Sequence, residues 1–308
     1  MGQYVPGAQI VAGQKGAQNM AKAAYEIREP GCKVNMFLQI TARRPDGYHE
    51  LESLFYPLSR PTDRLSFAPG PAAKGLRLSC SDPYLHPEDN SIHTAYEAFA
   101  REIGVAPDLQ IHLEKRVPYG AGLGGGSADA ACVLQYLYAH TAPDMDPRRL
   151  EQIALEVGAD VPFFLTAKPC WVRGVGDLLE PVPFSLGQWR LLVVCPEVRV
   201  NTGWAYQRWD AQHQREQNLA QECLTWARLA YKECCSSGAL VLFNSFEQVV
   251  FPQYPELGEL KQALLAVGVS ACVMSGSGAA LVALTREPNS LQSACSMLEA
   301  RKASFFVI

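Results

Sequence analysis

Nowhere in the sequence is there a run of about 18 apolar residues, and no basic stretch leads into an apolar segment at its start, so neither a membrane-spanning helix nor a secretory leader is read from it. Positive charge is scarce. The 27 Lys and Arg face 31 Asp and Glu, for a net charge of −4, and no basic stripe supplies the phosphate-neutralising surface that a nucleic-acid partner demands. None of the ten cysteines lies in a CxxC or in a paired Cys/His spacing, which excludes the common zinc sites. Cys132, Cys195 at the end of LLVVC and Cys272 sit in apolar runs, which suits buried reduced thiols and a reducing, cytoplasmic setting. There is no internal repeat and no low-complexity tract. What remains is an ordinary soluble globular composition, 48% hydrophobic and 19% charged, over 308 residues, a length that favours two cores rather than one.

The most informative segment is VPYGAGLGGGSADAACVL. Five glycines, Gly120, Gly122, Gly124, Gly125 and Gly126, fall within seven residues. Before them Leu109, Ile111 and Leu113 alternate with polar residues as in a half-buried strand. After them an Ala-rich helix carries Ala130, Ala131, Val133, Leu134 and Leu137, with Ser127 as its expected N-cap and Asp129 in its first turn. Strand, glycine loop and helix N-terminus together make an anion site, because orphan amides and the helix dipole both point at the ligand. A flexible linker would instead be Ser- or Pro-rich and would not open straight into a helix. Two nucleotide motifs are excluded by the same residues. No lysine follows the glycines as a Walker loop requires, and the loop does not open a first βαβ unit with an acidic residue at the dinucleotide-binding distance. With no basic stripe on the chain, the phosphate partner is a small molecule.

Elsewhere Val34, Met36, Leu38 and Ile40 alternate with Lys33, Asn35, Phe37 and Gln39, which puts the lysine and asparagine on one face of a strand. Further strands are expected at Tyr48 to Tyr56, Arg64 to Phe67 and Leu76 to Cys80, then a helix capped by Asp89 or Asn90. A helix from Pro147 stops at Gly158, and Asp160 follows in GADVPFF. Lys168 to Pro183 reads as strand, GVGD turn and strand. The second half reads strand (Trp189 to Cys195), helices between about Thr202 and Val267, strands around Ala271 to Met274 and Ala279 to Ala283, helix (Leu291 to Ala300) and strand (Phe305 to Ile308), the order of an α+β sandwich. Residues 1–28 read as an extension, 29–185 as a first domain and 186–308 as a second, with the boundary in the Pro/Gly punctuation near Pro181 to Gly187.

Lys33 and Asn35 on an early strand, the glycine loop, and Ser275-Gly276-Ser277-Gly278 between two late strands resemble in order and spacing the three signature motifs of the GHMP kinases. The segments CKVNMFLQI, RPDGYHELES, PEDNSIHTAYEAF, VGADVPFF and VRGVGDLLEPV are similar to those of the branch that serves non-mevalonate isoprenoid biosynthesis. That resemblance runs from about Cys32 to the C-terminus. It implies a two-domain fold, with an N-terminal domain like the second domain of ribosomal protein S5 and a C-terminal ferredoxin-like α/β sandwich. It also implies ATP and Mg2+ as cofactors, a cytidine diphosphate-linked methylerythritol as the small-molecule substrate, and a monomer or homodimer with no nucleic acid and no membrane.

Carried over by the resemblance, Asp160 and Lys33 are the catalytic pair. A carboxylate there can deprotonate or orient a hydroxyl, help worth about 10²- to 10⁴-fold, and a nearby ammonium keeps it ionised. Pro118, Tyr119, Gly120, Ala121, Gly122, Leu123, Gly124, Gly125, Gly126, Ser127 and Ala128 would hold the ATP phosphates. Tyr48 and His49 would take the cytosine by stacking and hydrogen bonding, with Asn35, Thr202, Tyr206, Gly276 and Gly278 also against substrate. Taken singly, Asp160 reads as a solvated turn residue, Lys33 as a strand-edge lysine, and SGSG as a plain hairpin turn. Ser275 and Cys32 depart from the family's usual threonine and alanine, and some thirty residues precede Lys33 where about ten are common. Metal ligands are not assigned; Asp129 and Glu114 are candidates by residue type alone. A GHMP kinase acting on another small polyol or amino-alcohol, and a nucleotide-binding sensor without catalysis, remain the alternatives.

Overall fold

A computed structural model describes residues 25–83, 90–213, 219–237 and 241–308. In chain order its elements begin with β1 (Glu26–Arg28), β2 (Cys32–Arg43), β3 (His49–Leu58), β4 (Arg64–Pro69) and β5 (Leu76–Cys80), then α1 (Ser91–Ile103), β6 (Leu109–Glu114), α2 (Gly125–Thr141), α3 (Pro147–Val157) and α4 (Val161–Thr166). They continue with β7 (Cys170–Arg173), β8 (Leu178–Pro181), β9 (Arg190–Cys195), α5 (Thr202–His213), α6 (Leu219–Ser237), β10 (Phe243–Asn244) and α7 (Glu247–Gln253). The last are α8 (Pro255–Ala266), β11 (Ala271–Met274), β12 (Leu281–Thr285), α9 (Pro288–Ala300) and β13 (Ser304–Val307). Two compact units result. Of the described residues, one holds 25–31, Thr62–Val117 and Gly125–Leu165; the other holds Cys32–Pro61, Pro118–Gly124 and Thr166–Ile308.

The first unit is a four-stranded sheet of order β1-β4-β6-β5 with α1, α2 and α3. Residues 26–28, inside the segment read as an extension, form β1 and pair antiparallel with β4; the rest of that segment before residue 25 lies outside the described residues. Helix α1 starts as its sequence dictates: Asn90 caps it by accepting the Ile92 N–H at 3.0 Å, whereas the other candidate cap, Asp89, lies outside the described residues. It ends on Gly104 in the left-handed region. Its Ile92, Ala95, Tyr96 and Phe99 face inward, each large side chain contributing about 1.5–3 kcal/mol by leaving water.

The second unit has two sheets, β10-β2-β3-β7-β8 and β11-β12-β9-β13. Leu38, Ile40, Leu192, Val194, Trp209, Phe246, Leu264, Met274 and Leu281 share its main core. Strand β2 lies between β10 and β3 and is buried on both faces from Cys32 to Thr41, so Lys33 is not the strand-edge lysine that its residue type alone suggests; Phe37 packs among Trp171, Trp226 and Phe243 while Leu38 and Ile40 enter the main core. The strand expected from Ala279 begins at Leu281, because the Ala280 amide is drawn away to the carbonyl of Ala121 at 3.1 Å.

Candidate active site

Three segments of the second unit meet, and hydrogen bonds fix their arrangement. On β2 the Lys33 Nζ donates to Asn35 Oδ1 at 2.7 Å and lies 4.2 Å from the ring centroid of Phe55, while Asn35 Nδ2 donates to Ser53 Oγ at 2.9 Å. Lys33 and Asn35 are 4% and 2% exposed, a burial that a lysine tolerates only where it is hydrogen-bonded. Their shared face follows from the two-residue strand period.

The glycine loop is anchored through its carbonyls. Ala121 O accepts the Ala280 N–H at 3.1 Å, Gly122 O accepts Ser275 Oγ at 2.9 Å, and Leu123 O accepts the Lys33 N–H at 2.8 Å. Ala121 and Leu123 are buried between Gly120, Gly122 and Gly124, which hold φ of +70°, +75° and +69°. Three consecutive carbonyls therefore turn into the protein. Among the described residues, no backbone carbonyl accepts an N–H from Gly122, Leu123 or Gly124, which leaves those donors for an anion. Gly122 is where a side chain is forbidden by space as well as by conformation: a Cβ there would sit 2.1 Å from the carbonyl oxygen of Ser275.

The SGSG segment is a structured partner of that loop and not a simple hairpin turn. Ser275 Oγ accepts the Asn35 N–H at 3.1 Å besides donating to Gly122 O, and Thr202 Oγ1 lies 2.7 Å from Ser277 Oγ. Asn244, 2% exposed, donates from Nδ2 to the carbonyls of Met274 (2.6 Å) and Gly276 (2.7 Å) and accepts the Phe246 N–H at 2.9 Å. Gly276 and Gly278 both have positive φ.

A second cluster in the same unit surrounds His49. Its Nε2 is 2.7 Å from Asp210 Oδ1, its ring stacks on Tyr206 at 4.5 Å and 21°, and Trp209 meets it edge-on at 5.8 Å. Tyr48, in the turn just before, is 64% exposed. Helix α5 brings these partners together because Tyr206, Trp209 and Asp210 lie three and four residues apart on one face.

In the first unit, Asp160 is half-buried between α3 and α4, in a turn closed by the Gly158 N–H on Ala154 O (3.1 Å) and the Val161 N–H on Gly158 O (3.0 Å). Helix α2 begins at Gly125, so Ser127 lies inside its first turn and is not its N-cap, and Asp129 falls one turn further in. There Asp129 is buried, with Oδ2 3.0 Å from Lys115 Nζ. Burial pushes its carboxyl up to about 8, against the pull of the Lys115 ammonium. Glu114 is engaged by Arg116 at 3.0 Å. Among the described residues, no group of three or more His, Cys, Asp or Glu could hold a metal ion.

Asn244, Ser53, Trp209 and Asp210 were not singled out in the sequence. For Asp210 a signal existed, four residues beyond Tyr206 on a helix; for Asn244 there was none.

The class follows from these features and from relatives. The chain matches the GHMP kinases N terminal domain over residues 90–168 and the GHMP kinases C terminal domain over residues 218–303, and it belongs to the GHMP kinases. It is 43% identical over 269 residues to a protein of Nitratidesulfovibrio vulgaris (strain DP4) named 4-diphosphocytidyl-2-C-methyl-D-erythritol kinase, covering 87% of this chain and 93% of the relative. A protein of the same name from Solidesulfovibrio magneticus is 44% identical, covering 87% and 90%. A solved structure titled 4-(cytidine 5'-diphospho)-2C-methyl-D-erythritol kinase superposes with a TM-score of 0.72 at 34% identity, covering 91% of this chain and 97% of the other.

Proposed function

We infer that this kinase transfers the γ-phosphoryl group of ATP to the 2-hydroxyl of 4-diphosphocytidyl-2-C-methyl-D-erythritol, releasing ADP, in the non-mevalonate route to isoprenoids. The observation that carries this reading is the 43–44% identity, across about nine-tenths of their length, to relatives named for that substrate. In the transfer the bond between the γ-phosphorus and the β,γ-bridging oxygen breaks, the substrate oxygen bonds to phosphorus, and the hydroxyl proton goes to a base. We assign that base to Asp160 and the stabilisation of the transferring group to Lys33. The loop from Pro118 to Ala128 receives the phosphates on amides whose carbonyls already have partners, so little reorganisation accompanies charge development. Mg2+ would arrive on the ATP phosphates, whose charge it neutralises. Neither acidic candidate fits a resident metal site, since Asp129 is buried against Lys115 and Glu114 is paired with Arg116.

His49, with Tyr48 and Tyr206, is assigned to the cytosine, and Asn35, Thr202, Gly276 and Gly278 to the remainder of the substrate. A cytoplasmic setting suits the thiols of Cys132, Cys195 and Cys272, which burial pushes up to about 12 and so keeps protonated.

The test is ATP consumption by the purified protein with the cytidyl substrate, beside homoserine, mevalonate and galactose, and with Asp160→Asn as control. Turnover confined to the cytidyl substrate, cut at least about 10²-fold in the variant with ATP binding retained, is expected. Turnover of another alcohol would reassign the substrate, and a fully active variant would remove the base role.

A further inference from the structure

The glycine loop leaves the first unit after Val117 and returns to it at Gly125. Both points are tied to a buried cluster of charge. Asp63, fully buried immediately before β4, accepts the Arg116 N–H at 2.6 Å and the Val117 N–H at 2.8 Å on Oδ1. Its Oδ2 accepts Lys115 Nζ, which follows directly on β6, the antiparallel neighbour of β4. The same ammonium donates to Asp129 Oδ2 on α2 at 3.0 Å. Gly125, the first residue of α2, is pressed against this assembly: a Cβ there would lie 2.9 Å from Val117 Cγ1 and 3.3 Å from Lys115 Nζ.

Packing alone does not account for the cluster. Two acidic side chains and one ammonium lie together in the interior, and Asp129 Oδ1 has no hydrogen-bond partner. Buried charge of this kind contributes little to stability relative to well-packed apolar side chains, and an unpaired buried oxygen adds a cost. Its distinctive effect is geometric. It fixes the residue where the phosphate loop departs and the helix where it returns, so the loop spans a set gap before any ligand is present.

We propose that Asp63, Lys115 and Asp129 form a clasp that pre-sets the phosphate loop for the nucleotide, Asp63 and Lys115 being positioning residues for ATP phosphates and not contacts to them. This rests on the reading of the loop as the ATP-phosphate site.

The experiment is calorimetric titration of wild type and Asp63→Ala with ADP and, separately, with adenosine, after thermal melts establish that the variant is folded. The clasp predicts ADP affinity lowered about tenfold, the scale of re-ordering roughly one backbone residue, with adenosine affinity unchanged. A purely electrostatic influence predicts the opposite sign, because removing a carboxylate favours an anion. Equal or tighter ADP binding, or an equal loss for ADP and adenosine, overturns the clasp. Should Asp63→Ala not fold, Asp63→Asn keeps an oxygen for the Arg116 and Val117 amides but turns an amide nitrogen toward the Lys115 ammonium, and an ADP-selective loss is expected of it too, again opposite in sign to the effect of removing a negative charge. Wild type that binds neither ligand would instead count against the nucleotide reading of the loop.

Discussion

The imidazole of His49 is held by the carboxylate of Asp210, Nε2 to Oδ1 at 2.7 Å, while Tyr206 covers its face. A carboxylate at Nε2 requires the proton on that nitrogen, which leaves Nδ1 as the acceptor nitrogen of the neutral tautomer. Asp210 is itself steadied by Arg43, whose Nε lies 3.3 Å away. Replacing Asp210 by Asn removes the charge that fixes the tautomer. The KM for the cytidyl substrate is expected to rise about tenfold, at the lower end of what loss of an orienting partner costs, with the KM for ATP unchanged. Steady-state kinetics with each substrate varied in turn checks this; an unchanged pair of KM values would show that Asp210 does not act through His49.

Gly120 and Gly122 have similar backbone conformations and different surroundings. A Cβ at Gly120 meets nothing within 4 Å, so Gly120→Ala should cost only the left-handed strain of about 1–2 kcal/mol. At Gly122 the added carbon would sit 2.1 Å from a backbone oxygen that cannot swing aside. Gly122→Ala should abolish ATP-dependent turnover and lower the melting temperature well beyond Gly120→Ala. Melts and turnover of the pair decide it, and equal behaviour would mean that the approach of the two loops is not obligatory.

Asp129 provides a pH signature. Burial lifts its carboxyl from an ordinary 3.8 to about 8, with Lys115 and Asp63 the charged groups facing it. Between those values the folded protein holds a proton that the unfolded chain releases. Its contribution to stability is therefore full below the lower value and lost as pH rises toward the upper one. Asp129→Asn, neutral throughout, should flatten the fall in melting temperature between about pH 6 and pH 8.5. Parallel melting curves for the two proteins across that range would contradict the raised pKa.

Asn244 supports the late loop by donating to two carbonyls at once. Asn244→Ala leaves both unpaired in the interior, at about 1–3 kcal/mol each. Asn244→Asp is expected to be worse, since a carboxylate would face both oxygens. Chemical denaturation of the two variants ranks them; an aspartate variant as stable as wild type would mean that the carbonyls find other donors.

Elements with a clear local signal were legible in the sequence. Leu76–Cys80, Leu109–Glu114 and Pro147–Val157 have the expected bounds, because alternation, or an Asp146 cap with Pro at the first helical turn, specifies them without outside help. What failed was decided at a distance. The start of α2 lies two residues before Ser127, where Gly125 packs on Val117 and Lys115. Of the site, the lysine and the glycines stood out as residue types. Asp210 and Asn244 are ordinary polar residues until the chain has folded, the first reaching a partner 161 residues away.

The Gly122 carbonyl has its partner, Ser275, 153 residues further along the chain. Ala121 waits for Ala280 in the same way. During synthesis at about 5–20 residues per second, the loop emerges many seconds before the segments that hold its carbonyls exist. A nascent or truncated chain ending ahead of Ser275 therefore carries the complete glycine signature without the bonds that orient it, and the loop takes its fixed form only as the final strands are made.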